Sequence, residues 1–240
     1  MTDLLLVHGS CHGAWCWRDL LPALADQGLS AGTIDLPGNA RSDSGQSRDM
    51  ASITLSETAT AIREATDSNT VLLGHSWAGY PISAAADMAT PLRGLIYLCA
   101  YVPQGGVSMI EMRKRSPRQT LAGKTVKAAD GHSYCFDLTT ATDLLYHDCP
   151  ASTAAYALPR LSPQAIRPQD TPLQLGAQWQ ATPKAYIRCT GDRVIPPEYQ
   201  TQMVTDWPPH KVTDLDTSHS PFFAAPQRLA TMIATLVKDL

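Results

Sequence analysis

The chain has 240 residues, a formal net charge of −3 and a hydrophobic fraction of 44%. This length suits one domain, or one domain with an insertion, and it can bury a core without disulfides or metals. The nineteen basic and twenty-two acidic residues are spread along the chain. This argues against a nucleic-acid partner and against an anionic membrane surface, because both need a basic stripe. We interpret the one basic cluster, Arg113-Lys114-Arg115, as a solvated helix end.

The start of the chain and its cysteines predict the compartment. Met1-Thr2-Asp3 leads directly into an apolar strand-like segment, without the charged start and long apolar run of a signal peptide. No stretch approaches the ~18–20 apolar residues of a membrane span. We therefore expect a cytoplasmic protein with no membrane partner, and we leave a homodimer open. The cysteines lack CxxC or metal-ligand spacing, so we expect free thiols and neither a metal nor a cofactor. The six cysteines are Cys11, Cys16, Cys99, Cys135, Cys149 and Cys189.

Strands and helices alternate along most of the chain. Apolar runs predict strands over residues 4–7, 31–36, 70–73, 95–99, 184–189 and 211–215. Helical spacing predicts helices over about 15–27, from a Thr54/Glu57 capping box to residue 65, between the third and fourth strands, over about 197–206 and at the end of the chain. This alternation predicts an α/β fold in which a parallel sheet is covered on both faces.

Residues 103–182 interrupt the alternation. They contain seven prolines and only short helical patterns, at 141–149 and 151–158. We interpret this segment as a cap inserted into a single domain that spans residues 1–240.

The segment Gly74-His75-Ser76-Trp77-Ala78-Gly79 contains the pattern G-x-S-x-G between a predicted strand and a predicted helix. A nucleophile elbow needs a sharp turn there, and its glycines allow close approach of neighbouring backbone. The turn lifts the Ser76 hydroxyl out at the carboxyl end of the sheet, so we predict Ser76 as the nucleophile. His75 is a poor candidate for the base, because adjacent residues at this turn point apart.

Acyl transfer needs two N–H donors directed at the developing oxyanion. We predict that the N–H of Trp77 is one of them. The loop after the first strand, His8-Gly9-Ser10-Cys11-His12-Gly13, is expected to supply the other from Ser10. His8 and His12 are expected to shape this loop rather than to titrate.

A serine hydroxyl becomes a good nucleophile only beside a base, and that base needs a partner that fixes its tautomer. Past the cap, Asp192 directly follows a predicted strand, and His219 follows the last strand before the final helix. Both lie at the sheet edge predicted for Ser76, in the order nucleophile, acid, histidine. The less favoured alternatives are Asp214 and Asp216 for the acid, and His132, His147 and His210 for the base.

Together these segments resemble the plant methylesterase and hydroxynitrile lyase group and its bacterial esterase relatives. The resemblance runs from end to end and implies an α/β-hydrolase fold, with a mostly parallel sheet of about six strands, helices on both faces and a helical cap at about 103–182. The segments that carry it are His8 to Trp15, Gly74 to Ser76, Cys189 to Asp192, Ile195 to Glu198, and His219.

The resemblance implies a serine carboxylic ester hydrolase that acts on small esters through an acyl-enzyme. The lyases of the group carry a threonine at the position of Gly9 and a lysine directly after the catalytic histidine, where this chain has Ser220. This difference disfavours cyanohydrin cleavage. The alternatives are a hydroxynitrile lyase-like enzyme, a C–C hydrolase, and a receptor that keeps these residues but only binds small molecules. Trp77 and Ala78 stand where the plant esterases tend to have a smaller aliphatic residue and a glycine, so plant substrates do not transfer.

The cap is expected to supply an apolar pocket for a small ester, and Trp77 is expected to narrow it. The candidate substrate-binding residues are Gly9, His12, Tyr101, Met109, Phe136, Tyr146, Trp179 and Phe222.

Overall fold

The computed structural model describes residues 3–39, 49–88 and 90–240. Met1 and Thr2, on which the expectation about the start of the chain partly rests, lie outside these ranges. In the described residues, no helix is both long enough and apolar enough to span a bilayer.

The strands supply one large sheet and one small sheet. The described strands are β1 (Leu4–Val7), β2 (Ala31–Ile34), β3 (Val71–His75), β4 (Gly94–Leu98), β5 (Thr125–Lys127), β6 (Ser133–Phe136), β7 (Gln164–Ala165), β8 (Lys184–Cys189) and β9 (Val212–Leu215). The large sheet is parallel throughout, in the order β2-β1-β3-β4-β8-β9. β1, β3 and β4 are buried along their whole length, which explains their continuous apolar sequences. The predicted parallel six-stranded sheet is confirmed.

The helices pack around this sheet. The described α-helices are α1 (Leu20–Asp26), α2 (Leu55–Glu64), α3 (Gly79–Ala86), α4 (Met109–Arg115), α5 (Leu138–Leu145), α6 (Ala151–Ala157), α7 (Ala177–Ala181), α8 (Pro197–Met203), α9 (Pro221–Ala224) and α10 (Pro226–Asp239). α1 packs against α10, and α2 packs against α3. The Thr54 side chain accepts a hydrogen bond from the backbone N–H of Glu57, so α2 begins where the capping pattern predicts.

The helix predicted over about 15–27 is divided in two. A short 3₁₀ helix spans Ala14–Trp17, and α1 begins only at Leu20. The reason is Pro22, which has no N–H and would clash with the carbonyl four residues earlier. An α-helix can contain this proline only within its first turn, so the prediction of one continuous helix was wrong.

The segment between β4 and β8 lies outside the large sheet. It contributes α4 to α7, and also an antiparallel sheet in the order β5-β6-β7 that the sequence analysis did not predict. Its strands are two to four residues long, too short to show a period of two. The expectation of a purely helical segment was therefore incomplete.

Candidate active site

Ser76 lies at the turn between β3 and α3. Its φ of 58° places it in the left-handed region, a strained conformation that lifts the side chain out of the strand direction. The Ser76 carbonyl accepts a hydrogen bond from the N–H of Tyr101, 3.0 Å away. A Cβ on Gly79 would collide with the Tyr101 carbonyl, and one on Gly74 would lie 3.0 Å from the carbonyl oxygen of Ala78. Both glycines are therefore needed for the close contacts that hold this turn.

Asp192 and His219 follow β8 and β9 and reach the same edge of the sheet as Ser76. Asp192 Oδ2 lies 2.7 Å from His219 Nδ1, and His219 Nε2 lies 3.0 Å from Ser76 Oγ. All three residues are buried. Because the carboxylate accepts the Nδ1 proton, Nε2 is left to accept the proton of the serine hydroxyl.

The Asp192 carboxylate is held by three further hydrogen bonds. Its Oδ1 accepts from the N–H groups of Val194 and Ile195, at 2.6 and 2.9 Å, and its Oδ2 accepts from Gln200 Nε2 at 2.9 Å. These bonds fix the carboxylate toward the imidazole. The alternative acids are bound elsewhere: Asp214 to Arg188, and Asp216 to Thr190.

His75 lies beneath the imidazole of His219. Its Nε2 donates to the His219 carbonyl oxygen at 2.8 Å, and the two ring centroids are 4.6 Å apart. Burial, assisted by the charge of His219, holds the pKa of His75 well below its usual value. A Cβ on Gly9 would lie 2.6 Å from His75 Nδ1. His75 is therefore a neutral support for His219, and Gly9 leaves room for it.

His75, His219 and Cys99 also bring three ligand-type atoms within 4.8 Å of one another. Three of the four ring nitrogens already bind the His219 carbonyl, Asp192 and Ser76. Burial raises the pKa of the Cys99 thiol well above its usual value, which disfavours the thiolate that a metal requires. The cluster does not fit a metal ion.

The loop after β1 is shaped by histidines. His12 Nδ1 donates to the carbonyl of Ser10 at 2.8 Å, and its Nε2 accepts from the Tyr146 hydroxyl at 2.7 Å. Burial lowers the pKa of His12 to about 3, with smaller contributions from the charges of His8 and His219. His8 likewise bonds backbone groups through both ring nitrogens. Both rings are therefore neutral near pH 7 and hold the loop.

Two glutamines from the segment between β4 and β8 also hold this loop. Gln169 Nε2 donates to Ser10 Oγ at 2.8 Å, and its Oε1 accepts from the Tyr134 hydroxyl at 3.0 Å. Gln164 Oε1 accepts from the N–H of Cys11 at 3.3 Å. Both glutamines are buried. They could not be predicted from the sequence, because isolated glutamines in a segment without clear periodicity carry no local signal.

The two candidate oxyanion donors reach the same cavity. Trp77 stands in the first turn of a 3₁₀ helix, Ser76–Ala78, where a backbone N–H has no acceptor within the helix. Ser10 lies in the turn closed by the bond from the N–H of His12 to the carbonyl of Gly9. Both residues line the cavity that contains Ser76.

This cavity is narrow. Its volume is ≈ 20 Å³. A substrate of more than a few atoms therefore needs the lining side chains to move apart. The described residues of the lining are Ser10, His12, His75, Ser76, Trp77, Tyr101, Met109, Arg113, Leu121, Tyr134, Phe136, Leu145, Val194 and His219.

Tyr101, Met109, Phe136 and His12 thus lie where pocket residues were predicted, and Gly9 lies behind His75. The other three predicted pocket residues, Trp179, Tyr146 and Phe222, are not among the described lining residues. Trp179 directs its indole N–H at the Tyr97 hydroxyl of β4, 2.8 Å away. The Tyr146 hydroxyl is engaged by His12, and Phe222 is fully buried against Trp17 and His75. These aromatic side chains support the loops from outside the cavity.

Arg113 was interpreted as part of a solvated helix end, and this was also wrong. It is half-buried in the last turn of α4 and lines the cavity. Burial raises the pKa of Tyr101 and of Tyr134, and the positive charge of Arg113 opposes that rise in both. The helical period alone could not show which arginine of the cluster faces inward.

Comparison with known proteins identifies the family of this fold. A family model described as "Alpha/beta hydrolase family" matches residues 4–232. The chain belongs to the alpha/beta hydrolase family. This hydrolase is 28% identical to the pyrethroid hydrolase of Sphingobium wenxiniae, covering 98% of the chain and 87% of that protein. It is 26% identical to methylesterase 3 of Arabidopsis thaliana, covering 96% and 94%. The crystal structure of the pyrethroid hydrolase PytH with BIF superposes with a TM-score of 0.86 at 25% identity, covering 99% and 98%.

The resemblance to plant methylesterases and bacterial esterases is thereby confirmed. The same comparisons confirm the enzyme class predicted from the sequence, a carboxylesterase-type hydrolase.

Proposed function

We propose that this hydrolase cleaves small carboxylic esters through an acyl-enzyme on Ser76, with His219 as the base and Asp192 as its orienting acid. The observation that carries the proposal is the continuous chain from Ser76 Oγ to His219 Nε2, at 3.0 Å, and from His219 Nδ1 to Asp192 Oδ2, at 2.7 Å. A buried, aligned chain of this kind is what nucleophilic catalysis by serine requires.

In the proposed first half-reaction, the proton of Ser76 Oγ passes to His219 Nε2 as the Oγ–carbon bond forms. The N–H groups of Ser10 and Trp77 stabilise the oxyanion, each contributing about 3 kcal/mol to the barrier reduction. The ester C–O bond then breaks, and the leaving alcohol takes the proton from Nε2. Water repeats the sequence in the second half-reaction, giving the free acid and the original serine.

Residues 103–182 are proposed to act as the cap over this chemistry. Six of the lining residues come from this stretch, among them Met109, Arg113, Tyr134 and Phe136. The cytoplasmic location expected from the sequence remains a prediction.

The experiment is turnover of 4-nitrophenyl acetate by the wild type and by Ser76→Ala, with Ser68→Ala, an exposed serine, as the matched control. We expect Ser76→Ala to lose about 10⁴-fold or more in kcat, and Ser68→Ala to keep wild-type activity. A fluorophosphonate probe should label the wild type and Ser68→Ala, but not Ser76→Ala. Equal activity of the wild type and Ser76→Ala would overturn the mechanism.

The same assays separate the alternatives. A small-molecule receptor would bind ligands tightly and turn over a broad ester panel extremely slowly. Cyanide release from mandelonitrile would favour the lyase. Against the lyase, the threonine that such enzymes carry at position 9 would meet His75, since a Cβ there already lies 2.6 Å from His75 Nδ1.

A further inference from the structure

Arg113 stands between two hollows. One is the cavity that contains Ser76, and the other is an outer hollow with a volume of ≈ 230 Å³. Only two of the described residues, Arg113 and Tyr134, line both. The outer hollow is also lined by Lys127 of β5, together with Ile110, Thr125 and Ile166. Arg113 therefore forms part of the wall of both hollows.

The charged side chains that line these two hollows are positive. Among the described residues that line either hollow, none is an aspartate or a glutamate. No described acidic group forms an ion pair with Arg113 or with Lys127, whereas Arg118 is bound to Glu198 at 2.5 Å and Arg188 to Asp214 at 2.5 Å. Arg113 thus differs from the other two arginines: it is half-buried beside Tyr101 and Tyr134 with no anion opposite it.

Complementing the dipole of α4 does not account for this placement. Lys114 and Arg115 occupy the same last turn, are exposed, and already supply positive charge there. A half-buried guanidinium is only partly hydrated, so an anion that binds it gains a charge-assisted hydrogen bond at a reduced cost of desolvation. A guanidinium binds a carboxylate through two parallel hydrogen bonds, which gives both affinity and orientation.

We propose that Arg113 is a specificity-determining residue that selects ester substrates carrying a carboxylate, with Lys127 attracting the same group at the outer hollow. The carboxylate is a second group, separate from the ester that Ser76 attacks. The inference rests on the proposed ester hydrolysis at Ser76 and adds a substrate class to it.

The test uses two matched pairs of esters. Mono-4-nitrophenyl adipate against 4-nitrophenyl hexanoate places the carboxylate on the acid part, and 3-carboxyphenyl acetate against phenyl acetate places it on the alcohol part. The measured quantity is the ratio of kcat/KM for the charged ester to kcat/KM for its neutral partner. The variants are Arg113→Gln, Arg113→Lys and, as the control from the same helix turn, Arg115→Gln.

In one of the two pairs, we expect Arg113→Gln to lower this ratio about 10- to 100-fold, the range of a hydrogen bond between charged groups. Arg113→Lys should recover part of the ratio, and Arg115→Gln should leave it within about twofold, as for an exposed charge. Lys127→Gln should lower it a few-fold at low salt and less at high salt, because exposed charges are screened. The pair that responds identifies the side of the ester that carries the carboxylate.

Two results would overturn the inference alone: an unchanged ratio in both pairs, or an equal loss of activity on the charged and neutral esters, which indicates a structural role for Arg113. In both cases, Ser76-dependent hydrolysis of the neutral esters would leave the proposed function standing. Absence of hydrolysis of all four esters, together with absence of fluorophosphonate labelling, would overturn the proposed function and the inference with it.

Discussion

The edge of the large sheet differs from residues 103–182, called here the covering segment, in whether its polar side chains already have hydrogen-bond or ionic partners. At the sheet edge, the side chains of Ser76, His219 and Asp192 bind one another, and His75 supports them from below. In the covering segment, Gln169 bonds to the loop after β1, but Arg113 faces the cavity with no described acidic partner. The polar groups at the sheet edge are therefore satisfied by one another, as the proposed catalysis requires, whereas the covering segment holds an arginine with no described anionic partner. This difference is the basis for proposing bond-making at the first region and substrate choice at the second.

Asp192→Asn should have the largest effect on the sheet edge. The amide offers the wrong group to His219 Nδ1, so the imidazole loses the tautomer that accepts the serine proton, and kcat should fall about 10⁴-fold. Steady-state kinetics with 4-nitrophenyl acetate measures the loss. Asp214→Asn, which alters the surface pair with Arg188, should stay within about threefold of wild type. If the two variants lose activity equally, Asp192 is not the orienting acid.

His12 contacts Tyr146 of the covering segment, and the pH dependence of stability tests its role at this interface. His12 has a pKa lowered to about 3, while an unfolded histidine has a pKa of about 6.5. Between these values the unfolded state binds more protons than the folded state, so stability falls as pH decreases from about 6.5 towards 3. For His12 alone the loss reaches about 3 kcal/mol at pH 4.

Urea unfolding at pH 7 and at pH 4 measures this effect. On acidification, the free energy of unfolding should decrease in both proteins. The decrease should be about 3 kcal/mol smaller in His12→Asn than in the wild type. His132→Asn changes an exposed residue of the covering segment and should behave like the wild type. The same acid sensitivity in His12→Asn as in the wild type would contradict a neutral, loop-holding His12.

Gly9→Ala sharpens the comparison within the sheet edge. Its Cβ would lie 2.6 Å from His75 Nδ1 and 3.0 Å from Ser76 Cβ, so His75 must shift and His219 with it. A displacement of this order should lower kcat about 10- to 100-fold. Gly105→Ala is the control, because its Cβ would meet only Gln174, at 3.5 Å. A Gly9→Ala enzyme with normal kcat would show that His75 does not position the base.

Gln169→Leu tests the link from the covering segment to the oxyanion loop. The Ser10 hydroxyl loses its donor and the buried Tyr134 hydroxyl its acceptor, which should lower stability by about 1–3 kcal/mol. Because the Ser10 N–H acts on the transition state, we expect kcat to fall about tenfold with little change in KM. Gln174→Leu, an exposed change in the same segment, should alter neither. A change in KM alone would place Gln169 in substrate binding instead.

The sequence predicted the sheet edge far better than the region above it. Buried parallel strands have continuous apolar sequences, and their ends place Ser76, Asp192 and His219 together whatever the intervening chain does. The covering segment has no such rule. The inward direction of Arg113 and the outward direction of Trp179 depend on how short elements pack, and neither composition nor period encodes that. Aromatic residues there were predicted as pocket lining because of their type, and type does not determine which side of a strand they occupy.

Trp179→Phe gives the smallest expected effect on activity. The indole N–H donates to the Tyr97 hydroxyl, which also bonds Ser83, so its removal should cost about 1 kcal/mol of stability. Because Trp179 lies outside the cavity lining, kcat and KM for 4-nitrophenyl acetate should stay within about twofold of wild type. Trp77→Phe alters a lining residue and should change the relative kcat/KM of short and bulky esters. If Trp179→Phe shifted that preference as strongly, the region that selects substrate would extend beyond the residues that line the cavity.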